Sequence, residues 1–389
     1  MLFTTPFALA GDRWAPELWL VVAQAGGLLA FAYTFRLARR LAGWIAGVIA
    51  VFGLLLVDEF IRNFSRGNSE GLLVGFCLWA IERHLDGHRR QAFMLGVLAG
   101  LLRPELWPFL LVYGLWLMWV DRGAIWLVLG SGVLTVLLWF VPEYLGSGDL
   151  FRAASRAREP NPDSAAFADH PFVETWVRAA KTLMLPMLIG AAIALVRAWR
   201  DRDTLRLALG GIAGALMVAV AAMTQAGFAG NLRYVALPAA LICVLAGAGW
   251  VELVRDVGAR WGRKAGAATA VAAIAVCTPL VAPFWDMLTW DLDVVRNESG
   301  AYDRLGPMVE KAGGTDAMLA CGPVYAPPFE VQAVAYAMHL HSKDVQLFAA
   351  PPGTTIAGKT SALAHDPRFA KLTENSRWVV SRNCRGGTP

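Results

Sequence analysis

The sequence predicts an all-α polytopic membrane bundle of about ten transmembrane helices, followed by a small α/β domain at the C-terminal end. Two observations predict the bundle. Apolar residues make up 57% of the chain and charged residues only 17%, against about 45–50% and about 25% in soluble domains. The apolar residues also fall into stretches of roughly the 17–25 residues that a helix needs to cross a bilayer, without the alternation typical of outer-membrane strands.

Ten apolar segments are the predicted spans. In chain order they are Pro16–Phe35, Ala42–Val57, Ser69–Ile81, Gln91–Leu102, Leu106–Val120, Ala124–Val141, Thr182–Val196, Leu207–Met223, Tyr234–Val251 and Ala265–Phe284. The predicted membrane bundle therefore comprises residues 1–284.

Arginine and lysine residues collect in the turns that follow every second segment, beginning with the first. These residues are Arg36, Arg39, Arg40, Arg83, Arg89, Arg90, Arg122, Arg197, Arg200, Arg202, Arg206, Arg255, Arg260, Arg263 and Lys264. By the positive-inside rule these turns are cytoplasmic. The net charge of +5 therefore reflects orientation in the lipid bilayer, and no nucleic-acid partner is expected.

The opposite turns are then predicted to be external. They are Leu56–Leu73, Arg103–Glu105, the long loop Pro142–Lys181, Gln225–Arg233 and everything after Phe284. At the other end, Met1–Ala10 is apolar but too short to span, and it lacks the features of a signal peptide. Because an external N-terminus is hard to deliver without either, we expect a further span and its loop upstream of Met1.

Residues 285–389 have the character of a small extracytoplasmic α/β domain. Two helices are predicted at Tyr302–Ala312 and Phe329–His339, and strands at Ala317–Cys321, Val345–Phe348 and Arg377–Ser381. Cys77, Cys243 and Cys277 lie within predicted spans, so Cys321 and Cys384 are the two cysteines outside them. An external compartment permits a disulfide between this pair; two free thiols in the domain core remain the alternative.

A charged cluster interrupts the apolar runs at "LVDEFIRNFSRGNSEGLL". Asp58, Arg62, Arg66 and Glu70 are spaced four residues apart, so one continuous helix would align them, with Glu59 and Asn63 alongside. Gly67 is expected to break this row before Glu70. One interpretation is a salt-bridged turn at the membrane surface, worth a few tenths of a kcal/mol per exposed pair. However, Asp58 follows an apolar run without any spacer, and ionisable groups at such a depth usually line a polar cavity.

The same pattern occurs twice more on the predicted external side. Arg103 and Glu105 flank a proline between two apolar runs, and Asn231 and Arg233 precede the ninth segment. Each arginine alone could extend towards the lipid headgroups. Together the three clusters favour one external site for an anion, since guanidinium groups stay charged and bind phosphate oxygens in pairs.

In the order of its motifs, the chain resembles bacterial GT-C class glycosyltransferases. The resemblance rests on "LARRLAGWIAGVIA", an acidic turn, "SRGNSEGLLVGFCLWAIERHLDGHRRQAFMLGVLAGLLRPELWPF", the helix-like "LFRAASRA" in a long outer loop, and a small C-terminal domain. It implies a sugar donor linked to polyprenyl phosphate, an acceptor in the cell envelope, inversion at the anomeric carbon, and a multi-pass location in the bacterial inner membrane.

The resemblance also implies roles for the charged residues. Asp58 or Glu59 would remove the acceptor proton, with Glu70 as the second acid, and Arg66, Arg103 and Arg233 would stabilise the leaving phosphate. Asn68, Glu105 and Asn231 complete the expected donor-binding set. In this class the main acid usually lies in the first external loop, so either that loop precedes Met1 or Asp58 and Glu59 are the only acids available.

A cofactor is not identified by the sequence. Some relatives use a divalent cation, which paired carboxylates would accommodate. His339 and His341 share one face of a possible strand, but two histidines do not complete a metal site, and no metal ligands are predicted. Two other functions remain open: a transporter or flippase for a lipid-linked anion, which would favour inverted repeats, and a non-catalytic membrane assembly subunit.

Overall fold

The computed structural model describes residues 3–11, 14–158, 160 and 164–385. It divides into two compact units, Met1–Leu292 and Asp293–Pro389. The boundary between the units therefore falls after Phe284, the predicted end of the bundle, and lies within one long helix.

The first unit is helical. Its helices are α1 (Thr5–Ala8), α2 (Ala15–Ala42), α3 (Trp44–Leu55), α4 (Phe60–Ser65), α5 (Glu70–Leu85), α6 (Arg89–Leu102), α7 (Trp107–Val120), α8 (Ile125–Ser147), α9 (Arg152–Ala157), α10 (Pro171–Thr182), α11 (Leu185–Asp201), α12 (Thr204–Gln225), α13 (Ala236–Trp261) and α14 (Arg263–Tyr302). Short 3₁₀ turns precede α7, α8, α10 and α13. Each of the ten apolar segments predicted from the sequence coincides with one of these helices.

The number of membrane crossings does not follow from the number of helices, and ten crossings stay a prediction. Among the described residues, five helical segments are long and apolar enough to span: Ala15–Ala42, Arg122–Leu145, Thr204–Gln225, Leu232–Trp261 and Arg263–Lys311. Helices α10 and α11 meet at an angle of 103° and together would give a sixth, while α3 and α7 are shorter apolar helices. In the predicted loop Pro142–Lys181, α9 covers the helix-like segment, and residues 159 and 161–163 lie outside the described ranges.

Helix α13 forms the centre of the bundle. In its most apolar stretch 83% of the residues are buried, against 6% in α14. Gly247 and Gly249 let its backbone approach neighbouring helices, because a Cβ on either glycine would overlap the carbonyl oxygen of Ala46 or of Gly190. Small residues at such contacts are the usual means of packing helices closely in a membrane.

Glycines also join α2 to α5. A Cβ on Gly71 would lie 2.6 Å from the backbone nitrogen of Gly27, and a Cβ on Gly26 would lie 2.6 Å from the backbone nitrogen of Leu72. The two backbones therefore touch at the first turn of α5. This contact fixes the position of Glu70, the first residue of that helix.

The charged cluster between α3 and α5 is not one continuous helix. The row is broken at Gly67, as expected from the sequence, and also at Glu59, which was not expected. Glu59 adopts a left-handed conformation with φ 61°, and Gly67 does so with φ 82°. Only the short α4 lies between these two turns. Asp58 thus precedes the first turn and Glu70 follows the second, so four-residue spacing does not align them.

The second unit contains a mixed five-stranded sheet. Its strands are β1 (Val324–Tyr325), β2 (Val345–Gln346), β3 (Gly353–Gly358), β4 (Ala370–Glu374) and β5 (Trp378–Asn383), in the order β2-β1-β3-β5-β4. Strand β1 is parallel to β2 and β3, whereas β5 is antiparallel to β3 and β4. Helices α15 (Leu305–Lys311), α16 (Gly314–Leu319) and α17 (Val331–Ala337) complete the unit.

The predicted strand at Ala317–Cys321 is wrong, because this segment belongs mainly to α16. Alanine, methionine and leucine favour helix, and Met318 is buried in the core of the unit. Strands β1, β3 and β4 were missed; β3 is buried along almost its whole length, so it shows no alternation of apolar and polar residues. Cys321 and Cys384 are joined in a disulfide.

Candidate active site

A buried carboxylate holds two arginines at the start of α5. The side chain of Glu70 is 1% exposed. Its Oε1 atom accepts a hydrogen bond from Arg103 and lies 3.9 Å from Nε of Arg233. Arg103 occupies the extended residue between α6 and the 3₁₀ turn that begins at Pro104. Three separate breaks between helices therefore contribute to one ion-pair cluster.

Tyr234 lies beneath both guanidinium groups. Its ring centroid is 4.7 Å from the guanidinium carbon of Arg103 and 5.7 Å from that of Arg233. Glu105 lies 4.0 Å from Arg103. Stacking on an aromatic face leaves the edge of a guanidinium group available for an anion. The side chain of Arg233 is 40% exposed, and its Nε has no hydrogen-bond partner.

We call the space beside this cluster the first cavity. It is lined by Asp58, Asn63, Glu70 and Arg233 together with mainly apolar residues around the start of α4 and the start of α13. Two carboxylates and one arginine that are separated by as many as 175 residues in the sequence thus face a common space. A site of this kind can bind an anion at one end and accept a proton at the other.

Asp58 is the carboxylate best suited to accept a proton. Burial raises the pKa of Asp58 to about 6, and the nearby carboxylates of Glu59 and Asp291 act in the same direction. A general base works best when its pKa is near the working pH. The backbone N–H of Asp58 donates to the carbonyl oxygen of Thr182 at 3.3 Å, which anchors the residue to the bend between α10 and α11.

Glu59 turns away from this role. It forms an ion pair with Arg62, whose Nη1 also lies 3.0 Å from Oδ1 of Asp291. The guanidinium of Arg62 lies 5.5 Å from the ring centroid of Trp290. Glu59 therefore belongs to a second charged group, between α4 and α14, and is not among the residues that line the first cavity.

The remaining predicted residues lie around the site. Asn68 donates to Oδ1 of Asn63 at 2.9 Å, which supports a residue of the cavity wall. Arg66 ends α4 and acts electrostatically on Asp291. Asn231 precedes the 3₁₀ turn that carries Arg233, and its carbonyl oxygen accepts from the backbone of Tyr234. Of these three described residues, none lines the first cavity.

Several residues at the site were not singled out from the sequence. Tyr234 directly follows Arg233, so its aromatic ring could have been considered together with the arginine. Arg62 and Asn63 were recognised as members of the charged cluster, but their contacts at the site were not predicted. Asp291 lies within α14, in "DMLTWDLDVV", and its proximity to α4 depends on helix packing.

A divalent cation does not fit these carboxylates well. Among the described residues, no three histidine, cysteine, aspartate or glutamate side chains converge as metal ligands. Glu70 is engaged by two arginines and Glu59 by Arg62. These carboxylates therefore have cationic partners from the chain itself.

Comparison with known proteins gives a structural match only. No protein-family model and no curated sequence matches the chain. The crystal structure of ArnT from Cupriavidus metallidurans bound to undecaprenyl phosphate is similar, with a TM-score of 0.51 and 15% identity over 97% of this chain and 85% of that one. The apo state of the same protein gives a TM-score of 0.49 at 16% identity, with the same coverage. The chain therefore shares the fold of ArnT, and the GT-C fold that its sequence motifs indicated is confirmed.

Proposed function

We propose that this protein is a membrane glycosyltransferase that moves a sugar from a polyprenyl-phosphate donor to an acceptor in the cell envelope. Two findings support the proposal. The fold is shared with a protein crystallised with undecaprenyl phosphate, and Asp58, Glu70 and Arg233 line one cavity. The second finding carries the proposal, because it combines a proton acceptor with an anion-binding group.

Arg233 and Arg103 would bind the phosphate of the donor. Glu70 fixes both guanidinium groups and leaves Arg233 partly exposed. In the reaction, the acceptor oxygen attacks the anomeric carbon as the bond from that carbon to the phosphate oxygen breaks. The bonding electrons pass to the phosphate, and Asp58 takes the acceptor proton. A single displacement of this kind inverts the anomeric carbon, and the arginines stabilise the departing charge.

A separate cavity beside Arg103 suits the lipid part of the donor. It is lined by Arg103, Glu105 and Tyr234 at its polar side. The rest of its wall is apolar: Leu73, Leu106, Leu216, Ala219, Val220, Leu237 and Pro238. Arg103 thus belongs both to this cavity and to the ion-pair cluster around Glu70. The first isoprene units would lie here with the phosphate at Arg103.

The predicted orientation agrees with such a reaction on the external face. In this proposal the protein is located in the bacterial inner membrane, with the first cavity and the C-terminal domain on the extracytoplasmic side. This side follows from the positive-inside rule applied to the arginine-rich turns.

The test is binding and turnover by the full chain in lipid nanodiscs. Undecaprenyl phosphate should bind wild-type protein and bind Arg233→Ala roughly 10- to 100-fold more weakly, the worth of a lost charge-assisted hydrogen bond. Asp58→Asn should bind the lipid normally but transfer no sugar. Arg90→Ala, which removes an exposed pair with Asp121, is the control. A protein that moves lipid-linked sugar across the bilayer equally well with Asp58→Asn would instead be a transporter.

A further inference from the structure

A second cavity also borders Asp58. It is bounded by the end of α3, by α4 and by α14. Val57 and Asp58 line both this cavity and the first one. Most of its remaining wall is apolar: Leu55, Leu56, Ile61, Phe284, Met287 and Leu288. Asp58 is therefore the polar group that the two spaces have in common.

Asp291 is the other polar group of this second cavity. Its side chain is only 4% exposed, and its Oδ1 atom has no hydrogen-bond partner, although Arg62 forms an ion pair with it. The ion pair compensates the charge of this carboxylate, and Oδ1 keeps the capacity to accept a hydrogen bond. A hydroxyl or N–H group of a bound molecule could donate it.

The charges around the second cavity exclude an anion. Three carboxylates, those of Asp58, Glu59 and Asp291, influence one another here, and Arg62 pairs with two of them. This differs from the Glu70 cluster, where two arginines surround one carboxylate. The first and second cavities thus favour chemically different ligands.

We infer that the second cavity binds the acceptor as an uncharged, hydroxyl-rich group, and that Asp291 is a specificity-determining residue that accepts a hydrogen bond from it. The inference rests on the proposed glycosyltransferase function. One hydroxyl of the bound group would then reach Asp58 from a cavity separate from the one that faces the donor phosphate. An acceptor carrying a phosphate at this point would be repelled.

The experiment measures two ligands on the same nanodisc-embedded full chain. Octyl β-glucoside serves as the hydroxyl-rich probe and undecaprenyl phosphate as the donor-side probe. Asp291→Asn should weaken saturable binding of octyl β-glucoside roughly 10- to 100-fold, as expected for loss of a hydrogen bond to a charged group, and leave binding of undecaprenyl phosphate unchanged. Arg233→Ala should give the reverse pattern.

Two further variants separate ligand contact from folding. Leu288→Trp fills the second cavity without changing charge and should also abolish binding of the glucoside. Glu82→Gln changes a buried carboxylate that pairs with Arg36 elsewhere and should affect neither ligand. If Asp291→Asn weakens both ligands, weakens neither, or if wild type binds no glucoside, the inference is overturned. Failure of wild type to bind undecaprenyl phosphate would overturn the proposed function instead.

Discussion

Glu70 and Arg103 form an ion pair in which the carboxylate is 1% exposed and the guanidinium 14% exposed. Removal of either partner would destabilise the fold, because an uncompensated buried charge costs far more free energy than an exposed one. This pair therefore has a structural role as well as the proposed binding role.

Removing one partner of this pair should destabilise the fold. Arg103→Ala should lower the free energy of unfolding by about 3–5 kcal/mol, the usual cost of leaving a buried charge unpaired. The double variant Glu70→Gln, Arg103→Met should recover much of that loss, as measured by thermal unfolding in detergent. Equal stability of Arg103→Ala and wild type would show that Glu70 finds its compensation elsewhere.

Asp58 should control the pH dependence of transfer. Its pKa of about 6 means that the carboxylate becomes able to accept a proton as the pH rises through this value. The rate of sugar transfer should therefore rise with pH between about 5 and about 7 and then level off. The measurement is single-turnover transfer across this range, and a rate that does not change between pH 5 and pH 7 would exclude Asp58 as the base.

Asp58 should also lower the stability of the folded protein at neutral pH. The pKa of Asp58 in the folded protein lies above its ordinary value of 3.8. Between about pH 4 and pH 6 the folded state therefore binds more protons than the unfolded state. As the pH rises through this window, Asp58 lowers the stability of the folded protein. Asp58→Asn should thus raise the melting temperature at pH 7 while abolishing transfer. A lower melting temperature would indicate that the carboxylate has a stabilising partner.

Variants of Glu59 can distinguish the role of its carboxylate from the role of its backbone conformation. Its φ of 61° is unfavourable for most residues but not for glycine. If its carboxylate has no catalytic role, Glu59→Gly should retain sugar transfer, since the turn that directs Asp58 into the first cavity is preserved. Glu59→Ala, which lacks both the carboxylate and this tolerance, should be less stable in thermal unfolding. Loss of transfer in both variants would assign the proton acceptor to Glu59.

The disulfide offers a test of orientation and stability together. Cys321 and Cys384 are 63 residues apart in the sequence. A disulfide that closes a loop of this length contributes between about 3 and about 5 kcal/mol to the free energy of unfolding. Reduction should lower the melting temperature of the C-terminal unit. After reduction of intact cells, a membrane-impermeant thiol reagent should label this unit, and the Cys321→Ser, Cys384→Ser double variant is the control. Labelling that requires permeabilised cells would reverse the predicted topology.

The sequence was most informative about the helices of the bundle. Apolar length alone predicts α2, α12 and α13, because a long apolar run in a membrane protein has few alternatives to a helix. The clustering of Arg103 and Arg233 near Glu70 also followed from their common predicted side. By contrast, β3 could not be recognised, because a strand that is buried on both faces lacks the alternating pattern.

The division of roles between Asp58 and Glu59 could not be predicted. These neighbours have similar side chains, and a single left-handed residue sends one towards the first cavity and the other towards Arg62. No periodic pattern marks that turn. Asp291 was missed for a different reason, since its contact with Arg62 joins residues that are distant in the sequence and depends on how α14 packs against α4.

The glycine contact between α2 and α5 limits how far the residues of the site can shift. A Cβ on Gly26 would overlap the backbone of Leu72, and a Cβ on Gly71 would overlap that of Gly27, so a larger residue at either position must displace α5 relative to α2. Glu70 would move with it and take Arg103 and Arg233 out of alignment with Asp58. Residues that contact no ligand thus determine the precision with which the charged groups are placed, and Gly71→Ala should disturb sugar transfer as much as a change in the cavity itself.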